Sequence, residues 1–261
     1  MTDAQRITLT GVAIPPGPGG TPGLRGLLAV PDGPGPWPGV VLLHEAFGVD
    51  GVVRRQAQRM AAAGCLTLVP DLFTDGGARR ALVPTFRAVD AGGGRPFADA
   101  EAARAHLAAR PDCTGRVGVL GSSVGGGLAL HLAARGFDAA AVFYARLPRD
   151  PHTTLLGACP VVAGYGGRDP GLRGTAAELA TVLTRVGVRH DVREYPGAGH
   201  GFLHDAPVGP RVLRPLLRDA LRIRPDPAAA ADAWARTDAW FAEHLRGRPP
   251  AEVPALRPSA P

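Results

Sequence analysis

The chain has 261 residues, 45% of them apolar, and a formal net charge of +6. That length suits one α/β domain with a well-buried core, and a mean hydropathy of +0.03 excludes both a disordered polymer and a membrane-spanning chain. All 29 basic side chains are arginines, scattered and without interleaved aromatics, so the basic balance reads as biased composition and no nucleic-acid partner is expected.

The opening residues, Met1-Thr2-Asp3-Ala4-Gln5-Arg6, show no secretory leader pattern. No apolar run approaches the roughly 18 residues of a membrane span, so no membrane partner is expected; three widely separated cysteines, with free buried thiols common at strand starts, point to a reducing cytoplasm. Residues 7–14 and 25–30 read as two strands, joined by a Pro/Gly-rich stretch. Residues 38–45 form a continuous apolar run, the pattern of a strand buried on both faces. A helix is predicted over 51–63, a strand over 65–69, a long loop from Asp71 to Pro96 and a helix over 98–109. A strand over 116–120 leads into a helix over 126–135; strands at 139–144 and 160–165, a helix at 172–186 and a strand at 189–195 follow. The last helix spans 228–245, with Trp234, Ala235, Thr237, Asp238, Trp240, Phe241 and Leu245 spaced for one packed face. Strands alternating with helices imply a mostly parallel sheet of about eight strands with helices on both faces. Residues 1–246 are taken as a single domain and 247–261, rich in Pro and Arg, as a disordered tail.

Only three serines occur, and two are adjacent in Gly121-Ser122-Ser123-Val124-Gly125. The pentapeptide lies between a predicted strand and a predicted helix, the context that a nucleophile elbow requires. Flanking glycines permit the sharp turn because no Cβ obstructs it. An ordinary Gly-rich turn would satisfy the pentapeptide alone, but the downstream order adds to it. The strand over 160–165 ends in Gly166-Gly167-Arg168-Asp169, and the strand over 189–195 ends in Pro196-Gly197-Ala198-Gly199-His200. Three strand ends thus deliver Ser123, Asp169 and His200 in the order of an α/β-hydrolase triad. Ser122 should point elsewhere. His44 is read as a hydrogen-bonded residue at a strand end, and His106 and His131 fall inside helices. Cys65, Cys113 and Cys159 are widely spaced and odd in number, with no metal-type spacing; neither metal nor organic cofactor is expected.

With these residues in place, the chain resembles the dienelactone hydrolase family of the α/β-hydrolase superfamily. The resemblance rests on Val41-Leu42-Leu43-His44-Glu45-Ala46-Phe47-Gly48-Val49, on the stretch from Ala63 to Phe73, on the elbow, and on Tyr195-Pro196-Gly197-Ala198-Gly199-His200-Gly201-Phe202. The run from Ala233 to Phe241 is also similar to the family's last helix, so coverage extends from about residue 25 to 246. The resemblance implies the α/β-hydrolase fold and a hydrolase of small carboxylic esters or lactones, monomeric or homodimeric. His200 would be the base, Asp169 its orienting acid, and the backbone amides of Val124 and Ala46 the oxyanion donors.

Three departures concern the substrate. Members that open dienelactones carry Cys where this chain has Ser123. A second arginine that grips the substrate carboxylate lies four positions after the catalytic His; here that position is His204. Residues 207–225 look like an insertion. In the family, the residue matching Glu45 helps activate the Cys; with Ser123, Glu45 is either a proton handler or a satisfied buried acid. Arg79 or Arg80 either meets an anionic substrate or is an exposed loop arginine. The same acyl-serine intermediate would also serve an acyl transferase or lactone-forming cyclase. A non-catalytic small-molecule-binding protein is the third reading, disfavoured by an intact Ser, Asp and His.

Overall fold

The computed structural model describes residues 7–219 and 222–246. Eight strands form one sheet: β1 (Leu9–Ala13), β2 (Arg25–Ala29), β3 (Trp37–Leu43), β4 (Leu66–Pro70), β5 (Cys113–Ser122), β6 (Ala140–Phe143), β7 (Val161–Gly166) and β8 (His190–Tyr195). Their order across the sheet is β1-β2-β4-β3-β5-β6-β7-β8. β1 pairs antiparallel with β2 and β2 antiparallel with β4, while every pairing from β4 to β8 is parallel. Along β3 every residue from Pro38 to Leu43 is buried, so both sheet faces are covered there.

The helices are α1 (Gly51–Ala62), α2 (Gly77–Ala91), α3 (Arg95–Ala108), α4 (Val124–Leu132), the single turn α5 (Pro151–Thr154), α6 (Thr175–Arg185), α7 (Arg214–Asp219) and α8 (Pro227–Leu245). Asp50 caps α1, its carboxylate accepting from the amides of Val52 and Val53. α8 buries Ala233, Trp234, Thr237, Trp240, Phe241 and Leu245. Two residues assigned to that face lie elsewhere: Ala235 is exposed, and half-buried Asp238 takes a bidentate pair from Arg59 at 2.9 and 2.6 Å. The tail 247–261 lies outside the described residues.

The principal correction concerns the stretch from Asp71 to Pro96, expected as a loop, which contains the fifteen-residue helix α2. Glycines in the left-handed region bound it, Gly76 (φ 84°) and Gly92 (φ 68°), and Pro84 sits inside it on the exposed side. Pro and Gly are helix breakers by propensity. Tertiary packing outweighs them here: Ala78, Ala81, Leu82, Ala88 and Val89 repeat at helical spacing and pack on the core. The partner surface is α4, where a Cβ on Gly127 would lie 2.8 Å from Val89 Cγ1. The glycine run after Ser123 therefore admits α2 close against the helix that follows the elbow.

Residues 207–225, read as an insertion, contain the short 3-10 turn Arg211–Leu213 and α7. Their last described part braces the loop after β8: the amide of Arg224 donates to the carbonyl of His200 at 3.2 Å, and that of Asp226 to Phe202 at 3.1 Å.

Candidate active site

The sharpest local feature is Ser123, between the end of β5 and the first turn of α4. Its backbone has φ 53° and ψ −120°, a conformation rare for a residue with a side chain. The turn is held on both sides: the Ser123 amide donates to the carbonyl of Phe143 at 3.0 Å, and its own carbonyl accepts from Gly127 at 3.0 Å. Both glycines of the pentapeptide are sterically required. A Cβ on Gly121 would run into the carbonyl of Gly125, and one on Gly125 would lie 2.5 Å from the carbonyl oxygen of Leu43.

The ends of β7 and β8 bring Asp169 and His200 to the same rim. His200 Nε2 is 3.0 Å from Ser123 Oγ, and His200 Nδ1 is 2.6 Å from Asp169 Oδ2. The second carboxylate oxygen of Asp169 accepts from the amide of Gly171 at 3.0 Å, which fixes its plane. The Asp169 side chain is 4% exposed and that of His200 20%, so the acid is sealed while the imidazole is reachable from outside. Ser122, by contrast, is buried and takes no part in this chain of contacts.

Val124 begins α4, where amides have no intrahelical acceptor, and Ala46 follows β3. Among the described residues neither amide has a hydrogen-bond partner. The peptide joining Glu45 to Ala46 is nevertheless held. Its carbonyl accepts from the Gly48 amide at 3.1 Å and lies 2.8 Å from His44 Nδ1. His44 Nε2 accepts from the Leu72 amide at 3.1 Å, which leaves the proton on Nδ1 for the Glu45 carbonyl. Burial lowers the pKa of His44, outweighing the carbonyl contact and nearby Asp71, so the ring is neutral.

Glu45 and His204 face each other. Glu45 Oε1 is 2.9 Å from His204 Nε2 and accepts the Tyr144 hydroxyl at 2.8 Å. Burial pushes the Glu45 carboxyl upward, but the charge and hydrogen bond of His204 outweigh it and hold Glu45 below its ordinary range. For His204, burial lowers and the Glu45 carboxylate raises, with a net rise. The two form an ion pair near His200, 159 residues apart in sequence. Tyr144 was not singled out from the sequence. It has φ 37°, touches Glu45, and stands edge-on to His200 with ring centroids 4.9 Å apart. Burial and the Glu45 charge hold its phenol protonated, well above its usual value. Its signal was a polar-tipped aromatic at the end of the strand beside the elbow.

Of the two candidate arginines, Arg79 lines a cavity of about 690 Å³ beside Ala46, together with residues of the 206–214 segment. Arg80 is exposed and folds back over Gly76 instead. His106 lies half-buried in α3, and His131 is buried edge-on to Phe97. The thiols do not compete as nucleophiles: Cys65 and Cys159 are each pushed up to about 12 by burial. Among the described residues no three His, Cys, Asp or Glu are grouped to hold a metal, and no helix is long and apolar enough to cross a membrane.

Comparison with known proteins gives concordant matches. A family model described as the dienelactone hydrolase family matches residues 24–245. A carboxymethylenebutenolidase of Pseudomonas putida is 27% identical over 190 residues, covering 65% of this chain and 77% of that one. The structure of a dienelactone hydrolase-like promiscuous phosphotriesterase from metagenomic libraries superposes with a TM-score of 0.74 at 24% identity, covering 91% of this chain and 99% of that one. A dienelactone hydrolase from Anabaena variabilis gives a TM-score of 0.65 at 20% identity, over 93% and 100% of the two chains. The fold is that of the α/β hydrolases.

Proposed function

The chain belongs to the dienelactone hydrolase family and is a hydrolase of that kind, and from that premise we propose that it cleaves small carboxylic esters or lactones through an acyl-serine intermediate on Ser123. The observation that carries this reading is the continuous chain Ser123 Oγ, His200 Nε2, His200 Nδ1, Asp169 Oδ2, with contacts of 3.0 and 2.6 Å. A serine hydroxyl is a weak nucleophile at its own pKa and needs an adjacent base. His200 takes the Ser123 proton as Oγ attacks the ester carbonyl, and Asp169 steadies the imidazolium that forms. The carbonyl oxygen becomes an oxyanion, held by the amides of Val124 and Ala46 and favoured by the N-terminal end of the α4 dipole.

Collapse of the tetrahedral species breaks the carbon–oxygen bond to the leaving group, and His200 returns its proton to the departing alkoxide. Water then attacks the acyl-serine, giving its proton to His200. A second tetrahedral species collapses to release the acid and restore Ser123. His44 acts one step back, as a positioning residue. By clamping the Glu45 carbonyl it fixes the peptide plane that carries the Ala46 amide, so the donor is aimed before charge develops. Glu45 is an unsuitable base in this scheme, because its carboxylate is engaged by His204 and Tyr144. It ties the loop after β3 to the loop that carries His200.

The test is turnover of p-nitrophenyl acetate by the wild type, Ser123→Ala and His200→Ala. Each variant should lose about 10⁶ in kcat, the scale on which serine hydrolases lose a nucleophile or base. Comparable turnover by all three would remove the triad from the reaction.

A further inference from the structure

Beside the loop after β3 lies the cavity of about 690 Å³, its walls supplied by α2 and by the segment 206–214. One wall is α2, through Ala78 and Leu82. The other is the 206–214 segment, through Val208, Pro210 and Leu213. The floor is Ala46, Phe47 and Val52. The second wall is seated on that floor, since a Cβ on Gly209 would lie 2.9 Å from both the Phe47 ring and Leu217 Cδ1. Ala46 belongs at once to the cavity and to the proposed oxyanion hole. Through Ala46 the cavity adjoins the place where an ester carbonyl would be held, so the group suited to it is a substituent of that carbonyl.

The charged groups at the rim are mostly committed elsewhere. Arg55 makes a bidentate pair with Asp205 at 2.5 and 2.7 Å. Arg214 Nε donates to the carbonyl of Gly209 at 3.2 Å, and Asp50 caps α1. Arg79 is exposed and, among the described residues, has no ion-pair partner. His204, which could have offered a cation to an anionic substrate, is buried against Glu45. Toward solvent the second wall presents Val212, Leu213 and Leu216, which are 86%, 44% and 60% exposed. Large apolar side chains left in water along the wall of a cavity are a common mark of a surface that meets an apolar ligand.

We infer that this cavity is a substrate subsite for an uncharged apolar group, so that the enzyme favours neutral esters with an extended hydrocarbon substituent over small carboxylate-bearing lactones. The inference rests on the hydrolase reading above for its chemistry and on the cavity for its specificity. Leu82, Val208 and Leu213 are the specificity-determining residues. Each methylene moved from water into such a pocket should raise kcat/KM by about two- to fourfold, until the pocket is filled.

Two ester series decide which substituent enters: p-nitrophenyl acetate, butyrate and hexanoate for the acyl side, and ethyl, butyl and hexyl acetate for the alcohol side. One series should climb with length. Leu213→Asp, on a solvent-exposed turn, should cut the ratio of longest to shortest ester by about tenfold or more. Two flat series would overturn the inference. So would an ester ending in a carboxylate that outperforms its neutral counterpart tenfold, because Arg79 would then be the gripping group. Calorimetric binding of the p-nitrophenyl and alkyl esters to Ser123→Ala separates this inference from the reaction itself. Affinity that grows with chain length in either series supports the subsite even if the wild type hydrolyses nothing, and equal affinities across both contradict it even if the triad is correct.

Discussion

The rim formed by the ends of the parallel strands and the walls that rise above it are built on different principles. At the rim, Ser123 and Asp169 follow strands paired on both sides, His200 follows the edge strand β8, and hydrogen bonds fix each approach. The walls, α2 and residues 206–219, are amphipathic pieces with exposed outer faces, interrupted by Pro84, Pro207, Pro210 and Pro215. The first region leaves little room for substitution, since a Cβ on Gly121 or Gly125 meets backbone and the proposed reaction depends on its distances. The second can change its side chains and retune what enters. On the proposed reading, reaction and specificity belong to separate parts of the fold.

The largest effects are expected at the rim. Asp169→Asn keeps the shape but removes the acceptor that fixes the His200 tautomer, and kcat on p-nitrophenyl acetate should fall about 10⁴-fold. A loss under tenfold would mean that the rim is less exacting than its geometry. Next in size is the buried pair behind it. His204→Ala leaves the Glu45 carboxylate without its cation and should destabilise the fold by about 3–5 kcal/mol in urea titrations.

The same pair predicts a pH window. Glu45 has a folded pKa below its ordinary 4.5, so its contribution is present above that value and is lost as pH falls through the depressed one. His204 has a folded pKa above its ordinary 6.5, so its contribution is complete below 6.5 and is lost as pH rises through the raised value. Stability should therefore be greatest from about pH 4.5 to 6.5 as far as this pair is concerned. The alkaline decline should flatten in Glu45→Gln; an unchanged slope would place the decline elsewhere.

A smaller effect sharpens the oxyanion side of the rim. His44→Phe removes the clamp on the Glu45 carbonyl while keeping a ring in the site, and should lower kcat about ten- to a hundredfold with KM little changed. A rise in KM with unchanged kcat would assign His44 to binding instead. Smallest of all, Arg80→Ala on α2 should leave both constants within about twofold, since exposed side chains away from contacts rarely matter. A large loss there would blur the division between rim and wall.

What could be read from the sequence follows the same division. Buried parallel strands appear as unbroken apolar runs, so β3, β5, β6 and β7 were legible, while β8 showed by its alternation; the glycine turns after β5, β7 and β8 then placed Ser123, Asp169 and His200 at strand ends. α2 was not: Pro84 and the glycines at 76, 77 and 92 argued for a loop, and the stripe from Ala78 to Val89 acquires meaning only against Gly127 of α4. The pairing of Glu45 with His204 and Tyr144 joins three separate loops, and no local pattern announces a contact of that range. His44 was legible as a hydrogen-bonded strand-end residue, but its leverage on the Ala46 amide depends on the orientation of one peptide plane.

The central claim is that one oxygen, Ser123 Oγ, forms and breaks the covalent bond to the acyl group. Incubation with an alkyl fluorophosphonate followed by intact-mass and peptide analysis addresses that oxygen directly. A single phosphonyl adduct on Ser123 is expected in the wild type and none on Ser123→Ala; an adduct that persists in Ser123→Ala, or a wild type that stays unlabelled, would contradict the role proposed for this oxygen.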